Sequence, residues 1–457
     1  MLEIIKSTAS GKVVVPPSKS YAHRLLIAAA LTNETCKVEN IELSNDIIAT
    51  INCLETLGKK ITVNKNTVTV KTIKKFSELD DNLIFECLES GSTLRFFIPI
   101  ALTLGKTVIF KGTEKLLSRG ISVYEALCKD QDIEVLKEKE SISFKGILKP
   151  STFDIPGNIS SQFITGLLFA LPLLNGNSYI NLTTTLESAN YIDITLDVLR
   201  LTGIEIVNID NRYIIKAPQE YLPAKFSVEG DYSNASFLDA FNYLGGNVEL
   251  IGLKEQSMQG DKIYKKYFNL ISKGYAEIDL QNAIDLGPIL FVMASLFHGA
   301  HFINTNRLKI KESNRINDLQ QELNKFGIEL KELDNEVFIN KQQINSPTEV
   351  LDGHNDHRIV MALTVLLSTT GGKIVGVGTH SDLYANNEIY REIYETSKNV
   401  IKINNTSVSL TILKQIAIHL ADVHVQNDTF RLFNPDSYLN MINPKNDNKY
   451  VILLPPN

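Results

Sequence analysis

The sequence predicts an α/β protein of two domains, and two observations carry that expectation. One supersecondary pattern recurs along the chain: an amphipathic helix, a glycine, then two short strands joined by an Asn/Asp turn. The chain also has 457 residues, 44% of them hydrophobic, more than one core usually holds. The clearest copies run from Ile47 to Val70, Ile192 to Ile215 and Ile316 to Ile339, with Gly58, Gly203 and Gly327 closing their helices. Glycine suits a helix C-terminus because it enters the left-handed conformation without strain. The residues between the strands, Asn64-Lys65-Asn66, Asp210-Asn211 and Asp334-Asn335, suit hairpins. Weaker copies lie at Val123 to Ser143, without the glycine, and around Tyr264 to Leu280. The spacing exceeds any solenoid period, so several α/β subdomains are expected, each sheet covering helices.

Taken in order, Pro16 and Pro17 end the Val13-Val14-Val15 strand, and Ser18 or Ser20 can cap a helix running through Leu25 to Leu31. Lys19 then stands at the positive end of a helix dipole, and Ser20 and Arg24, four apart, share a face. Such a start suits a phosphate or carboxylate. Four more donor-rich helix starts follow. They are Ser90-Gly91-Ser92-Thr93-Leu94-Arg95, Ser160-Ser161-Gln162, Lys311-Glu312-Ser313-Asn314-Arg315 and Asn355-Asp356-His357-Arg358. Each taken singly is an ordinary cap or a solvated ion pair, and His357 alone reads as a structural histidine. Five in one acidic chain, if they face one cleft, bind a substrate with more than one anionic group. A seam is expected near Lys225 to Asp231, where Asp231-Tyr232-Ser233 opens a new helix, and beyond Lys398 the chain turns Asn-rich.

Composition narrows the function classes. A net charge of -6 and a pI near 5.8 argue against a nucleic-acid or anionic-membrane surface. Cys36, Cys53, Cys87 and Cys128 show no CxxC pairing and read as single buried thiols in a reducing compartment, with no zinc-ligand cluster. No basic segment followed by an apolar one opens the chain, and Pro172 cuts the longest apolar run, so neither export nor membrane spanning is expected.

In combination and order, Ser18-Lys19-Ser20…Arg24, Gly91-Ser92-Thr93…Arg95, Ser118-Arg119, Ser160-Ser161-Gln162, Tyr191-Ile192-Asp193-Ile194-Thr195, Met258-Gln259-Gly260-Asp261, Lys311-Glu312…Arg315 and Asn355-Asp356-His357-Arg358 resemble the 5-enolpyruvylshikimate-3-phosphate (EPSP) synthase family. The resemblance spans about residues 3 to 395 and implies an inside-out α/β barrel fold. Two similar domains, each of three βαβαββ-type subdomains, close like a clamp on an active site in the interdomain cleft. It divides the chain into 1–17 plus 230–398, 18–229, and an appendage at 399–457. The implied reaction moves the enolpyruvyl group of phosphoenolpyruvate to the 5-hydroxyl of shikimate 3-phosphate and releases phosphate. Ser20, Arg24, Ser160, Ser161, Ser188, Tyr191, Asp285 and Lys311 are the implied shikimate 3-phosphate contacts. Lys19, Gly91, Arg119, Gln162, Arg315 and Arg358 are the implied phosphoenolpyruvate contacts, with Arg95 supporting the loop.

The chemistry needs an acid and a base on opposite sides of the reacting carbon. By resemblance Asp285 serves the 5-hydroxyl, and Glu312 with Lys19 delivers the proton. A cytoplasmic monomer with no cofactor, metal, nucleic-acid or membrane partner is expected. Three positions depart from the family pattern: Glu388 replaces a lysine that contacts phosphoenolpyruvate, Glu89 a frequent asparagine and Gly120 a frequent proline. Glu388 keeps an impaired or non-catalytic anion-binding homologue in play. A UDP-N-acetylglucosamine enolpyruvyl transferase is disfavoured, because Ser20 stands where that class has asparagine and the Ser160-Ser161 pocket is present.

Overall fold

The structure, a computed structural model, describes residues 2–375 and, beyond them, the strands Ile389–Ile393, Asn399–Ile403, Thr406–Ser407 and Tyr450–Leu453, which pair antiparallel. Glu388 and most of the tail lie outside the described residues.

Four sheets share one strand order, two parallel strands followed by an antiparallel hairpin. In the first, helix α1 (Lys19–Leu31) leads to Cys36–Glu39, and α2 (Asn45–Thr56) to the hairpin Lys59–Asn64/Thr67–Thr72. Ile47, Ile51 and Leu54 of α2 recur at helical spacing and are buried, which fixes the face turned to the core. The second sheet uses α3 (Gly91–Leu102), α4 (Glu114–Ser118) and α5 (Ser122–Asp130) between its strands Asn82–Glu86, Thr107–Lys111, Glu134–Lys137 and Ser141–Lys145. Phe85 stacks on Phe110 across paired strands, centroids 4.8 Å apart, and Phe144 meets Phe110 edge-on. The third uses α6 (Ser161–Ala170) and α7 (Ala189–Leu201).

The first sheet is completed by Phe226–Ser227, parallel to Cys36–Glu39 though far away in sequence. The chain then crosses at Gly230, which pairs with Pro17 in an antiparallel bridge, with Ser18 N–H donating to the Glu229 carbonyl (2.8 Å) and Asp231 N–H to the Pro16 carbonyl (2.7 Å). A Cβ on Gly230 would sit 2.8 Å from the Gly252 carbonyl oxygen, so only glycine fits there without a shift. After the crossing come α8 (Tyr232–Tyr243), with Asn247–Ile251 parallel to Ser10–Val14, and α9 (Tyr264–Lys273). The fourth of the shared-order sheets carries α10 (Gly287–Leu296) and α11 (Arg315–Asn324), and α12 (His357–Thr370) links Leu351–Asp352 to Gly372–Val375. The buried apolar side chains fall into two clusters, one drawn from Tyr21 to Val228, the other from Val15 and Tyr232 to Ile374.

Gly58, Gly203 and Gly327 take φ of 75°, 76° and 77° after their helices, as the repeat predicts. The copy at Val123 to Ser143 is also a helix followed by a hairpin. The copy around Tyr264 to Leu280 is not. Its strand Ala276–Asp279 pairs parallel with Gly299–Ile303, because Gly287-Pro288 starts another helix and carries the chain across the sheet instead of back in a hairpin. The four cysteines are buried free thiols, and no helix among the described residues is long and apolar enough to cross a membrane.

Candidate active site

Four of the predicted helix starts have their N-termini on one cavity of about 570 Å3 between the two apolar clusters. Ser90, Ser160 and Asp356 cap α3, α6 and α12 through their side-chain oxygens, while Ser18 caps α1 by backbone conformation alone. The fifth start differs from expectation. Asn314 is the cap and α11 begins at Arg315, so Lys311 and Glu312 precede the helix instead of sharing its face. They reach the cavity all the same.

From the first cluster, Lys19, Ser20, Arg24, Arg119, Ser160, Ser161, Gln162 and Tyr191 line the cavity. From the second come Asp285, Lys311, Glu312 and Arg358. Gly91, Ser188 and Arg315 lie behind the wall. A Cβ on Gly91 would meet Nη1 of Arg119 at 3.2 Å and of Arg95 at 3.3 Å, so the glycine lets two guanidiniums close on the start of α3. Arg95 supports that wall: it donates to Gln162 Oε1 (2.6 Å) and the Gly120 carbonyl (3.3 Å) and lies over Phe163. Gln162 passes the contact on to Ser92 Oγ (2.9 Å). Arg24 is 3% exposed and donates to Thr195 Oγ1 (2.8 Å) and the Ser20 carbonyl (2.8 Å) above Phe96. Burial lowers its pKa to about 10, which leaves it charged at neutral pH.

The far wall centres on Asp285. Its carboxylate accepts from Tyr191 Oη (2.8 Å) and Arg315 Nη1 (2.9 Å) and pairs with Lys311 Nζ (3.2 Å) and Arg358 Nη2 (3.6 Å). Burial alone would raise its pKa, but Lys311, Arg358 and Arg315 together hold it well below the usual carboxylate range. Arg315, fully buried, also binds Asp356 (2.7 Å) and Glu312 (2.7 Å). Glu312 is likewise held below its ordinary pKa, the Arg315 and Lys311 charges outweighing burial. Opposite, Lys19 Nζ sits 2.6 Å from Asp46 Oδ2, and Asp46 with Glu312 raises its pKa against the effect of burial. Lys19, Lys311, Arg315 and Arg358 are thus paired with carboxylates in or beside the cavity.

The family profile described as EPSP synthase (3-phosphoshikimate 1-carboxyvinyltransferase) matches residues 5–379. A 3-phosphoshikimate 1-carboxyvinyltransferase of Clostridium novyi (strain NT) is 39% identical over 391 residues, 80% of this chain and 90% of that one. The chain belongs to the EPSP synthase family. A relative of the same name from Clostridium acetobutylicum is 40% identical over 375 residues, 78% of this chain and 87% of that one. An EPSP synthase structure from Acinetobacter baumannii superposes with a TM-score of 0.69 over 83% of this chain and 94% of that one, at 19% identity, a likeness of fold.

In and beside this EPSP synthase family cavity, the sequence reading gives no role to Asp46, Asp261, Arg307 and His23. Asp46 opens α2 after Ser44-Asn45, a sixth capped start that could have been counted. Asp261 lines the cavity, its pKa pushed up to about 7 by burial and by Asp285. Arg307 lines it from a 3-10 turn, Asn306–Ile310, whose N-cap Thr305 makes no side-chain capping bond. His23, on α1, is buried and bonded through Nδ1 to Thr50 Oγ1 (2.7 Å). Thr93 donates to Ser90 Oγ (2.7 Å), so Thr50 donates to Thr93 (2.8 Å) and His23 Nδ1–H donates to Thr50. This chain of hydroxyls fastens α1 to the start of α3.

Burial pushes the pKa of His23 down to about 3, so the folded protein keeps it neutral. Its stabilisation is full above the unfolded pKa of about 6.5 and is lost as pH falls toward the folded value. His23→Asn retains an amide donor near Nδ1 but cannot titrate. Between pH 7 and pH 5, wild type should therefore lose about 2 kcal/mol more unfolding free energy than this variant. Urea denaturation of both proteins at the two pH values checks this, and the difference cancels the titration of Asp261 and His357. Equal losses would contradict a buried neutral imidazole.

Proposed function

We propose that the cavity transfers the enolpyruvyl group of phosphoenolpyruvate to the 5-hydroxyl of shikimate 3-phosphate, with Asp285 as the base and Lys19 as the acid. The observation that carries this reading is the pairing of Asp285 with Lys311, Arg358 and Arg315 on the wall facing Lys19. An ionised carboxylate so surrounded is a poor base. Bound anions compete for Lys311 and Arg358, and as these leave, Asp285 rises toward the ordinary carboxylate range and accepts the 5-hydroxyl proton. The base is then strongest when both substrates are present.

Asp46 and Glu312 favour the protonated form of Lys19, and Arg315 and Lys311 favour the ionised form of Glu312, so Lys19 carries the proton to the methylene of phosphoenolpyruvate. Protonation makes C2 electrophilic and the 5-oxygen attacks it. The C2–O bond to phosphate then breaks, and the methyl group returns one proton, giving the enolpyruvyl ether and inorganic phosphate. Glu312, with Lys19, handles the proton on this face. Arg119, Gln162 and Arg358, backed by Gly91 and Arg315, hold the phosphoenolpyruvate anions, and guanidinium geometry suits the departing phosphate. Ser20, Arg24, Ser160, Ser161, Tyr191 and Lys311 hold shikimate 3-phosphate.

The two apolar clusters and the bridge at Pro17 and Gly230 support a division into 1–17 plus 230–398 and 18–229, with 399–457 as an appendage. Six sheets up to Val375, four of them of one strand order, support six subdomains in an inside-out barrel whose halves close about that crossing. The chain acts in this reading as a cytoplasmic monomer. A coupled assay of phosphate release tests the function: release from phosphoenolpyruvate is expected with shikimate 3-phosphate and not with UDP-N-acetylglucosamine. Release with the sugar nucleotide alone would reverse the assignment.

A further inference from the structure

Arg315, Asp318 and Glu322 of α11, with Lys325 at its C-cap, follow one another at helical spacing and form a single charged stripe. The segment that enters α12 runs along this stripe in the opposite direction, and every second residue from Val350 to Asp356 meets it. Lys325 Nζ donates to the Val350 carbonyl (3.1 Å), and the Asp352 N–H donates to Glu322 Oε2 (2.9 Å). His354 Nε2 lies 3.0 Å from Glu322 Oε1, and its Nδ1 lies 3.8 Å from Asp318 Oδ1. Arg315 Nε donates to Asp356 Oδ2 (2.7 Å). A carboxylate only accepts, so Nε2 of His354 carries the hydrogen. Glu322 is 2% exposed, and Lys325 Nζ holds both of its oxygens, at 3.0 and 2.9 Å.

Asp318, Glu322, Lys325 and His354 stand behind the cavity wall, but the segment they hold ends on it. Asp356 caps α12 by accepting the Arg358 N–H (2.9 Å), and the Arg358 guanidinium lines the cavity between Asp285 and Ser233. Between the strand Leu351–Asp352 and that cap, His354 and Asn355 take φ of 50° and 54° in succession. Left-handed backbone is unfavourable for a residue with a Cβ, so two in a row persist only where their surroundings hold them. Here the holding groups belong to His354: its N–H donates to Asp352 Oδ1 (2.8 Å) and its ring to Glu322. Loss of the ring contact lets the turn relax and shifts the first turn of α12, which carries Arg358.

We infer that His354, held by Glu322, is a positioning residue for Arg358: it fixes the left-handed entry to α12 and so aims that guanidinium at phosphoenolpyruvate. This rests on the proposed reading of the cavity, in which Arg358 holds phosphoenolpyruvate and the shikimate 3-phosphate contacts, Lys311 apart, come from the first apolar cluster. The effect is therefore selective for one substrate. His354→Gly accepts a positive φ but has no ring, whereas His354→Gln keeps a side-chain N–H at the reach of Nε2. For both variants the test compares kcat/KM for phosphoenolpyruvate at saturating shikimate 3-phosphate with equilibrium binding of shikimate 3-phosphate, and urea unfolding checks each fold. His354→Gly should lower kcat/KM for phosphoenolpyruvate by about 10- to 100-fold, the range for a group misplaced by about an ångström. Shikimate 3-phosphate should still bind within about twofold of wild type, and His354→Gln should recover part of the kinetic loss. Lys325→Gln, which loosens the same anchor from the other end, should show a smaller loss of the same selectivity and decides the matter if His354→Gly does not fold. A kinetic loss below about twofold, an equal loss of shikimate 3-phosphate affinity, or no recovery in His354→Gln overturns the inference alone. Wild type that releases no phosphate from the two substrates overturns the reading of the cavity and the inference with it.

Discussion

Asp285→Asn should lower kcat by about 10²- to 10⁴-fold, the range of a lost general base, while leaving the affinity for shikimate 3-phosphate unchanged or tighter. The second half of that expectation is the unusual one. Asp285 holds Lys311 at 3.2 Å and Arg358 at 3.6 Å. An amide releases both for the substrate anions, so binding loses a competitor while chemistry loses its base. Arg315 keeps Asp356 and Glu312 as partners, so the variant does not strand a buried charge. Steady-state kinetics beside calorimetric binding separate the two effects. A parallel loss of kcat and affinity would mark Asp285 as a structural anchor for the cations and remove it from the chemistry.

Lys19→Ala should cost a comparable 10²- to 10⁴-fold in turnover, roughly the range for a positioned acid, with a raised KM for phosphoenolpyruvate and an unchanged fold. The fold should survive because Lys19 is partly open to the cavity and its Asp46 partner can rehydrate there. The informative variant is Lys19→Arg. Arginine keeps the positive charge but releases a proton far less readily than lysine. It should restore the affinity for phosphoenolpyruvate without restoring kcat. Near-normal turnover in Lys19→Ala would remove the residue from proton delivery, and restored turnover in Lys19→Arg would reduce its role to charge.

The features legible in the sequence are those set by neighbours in the chain. Gly58, Gly203 and Gly327 reveal helix ends because a positive φ is a local demand, and Ser90, Ser160 and Asp356 reveal helix starts because a cap reaches only two or three residues. The cavity's inventory of donors follows from such starts. Its electrostatic state does not. The Lys19–Asp46 pair joins two helices, and Asp285 gathers partners from α7, α11, α12 and the segment before α11, so these pairings exist only once the sheets have packed. The same limit hides Arg307, which meets Ser188 across the cleft. It also explains the copy around Tyr264 to Leu280, where the local pattern allows a hairpin and a parallel partner, Gly299–Ile303, takes the strand instead.

A crystal structure with shikimate 3-phosphate and an unreactive phosphoenolpyruvate analogue tests most directly whether substrate anions free the base. The expected result is the 5-oxygen within hydrogen-bond distance of Asp285, with Lys311 and Arg358 turned away from that carboxylate onto substrate oxygens. Both cations still seated on Asp285, or a shikimate ring whose 5-oxygen points elsewhere, would contradict it.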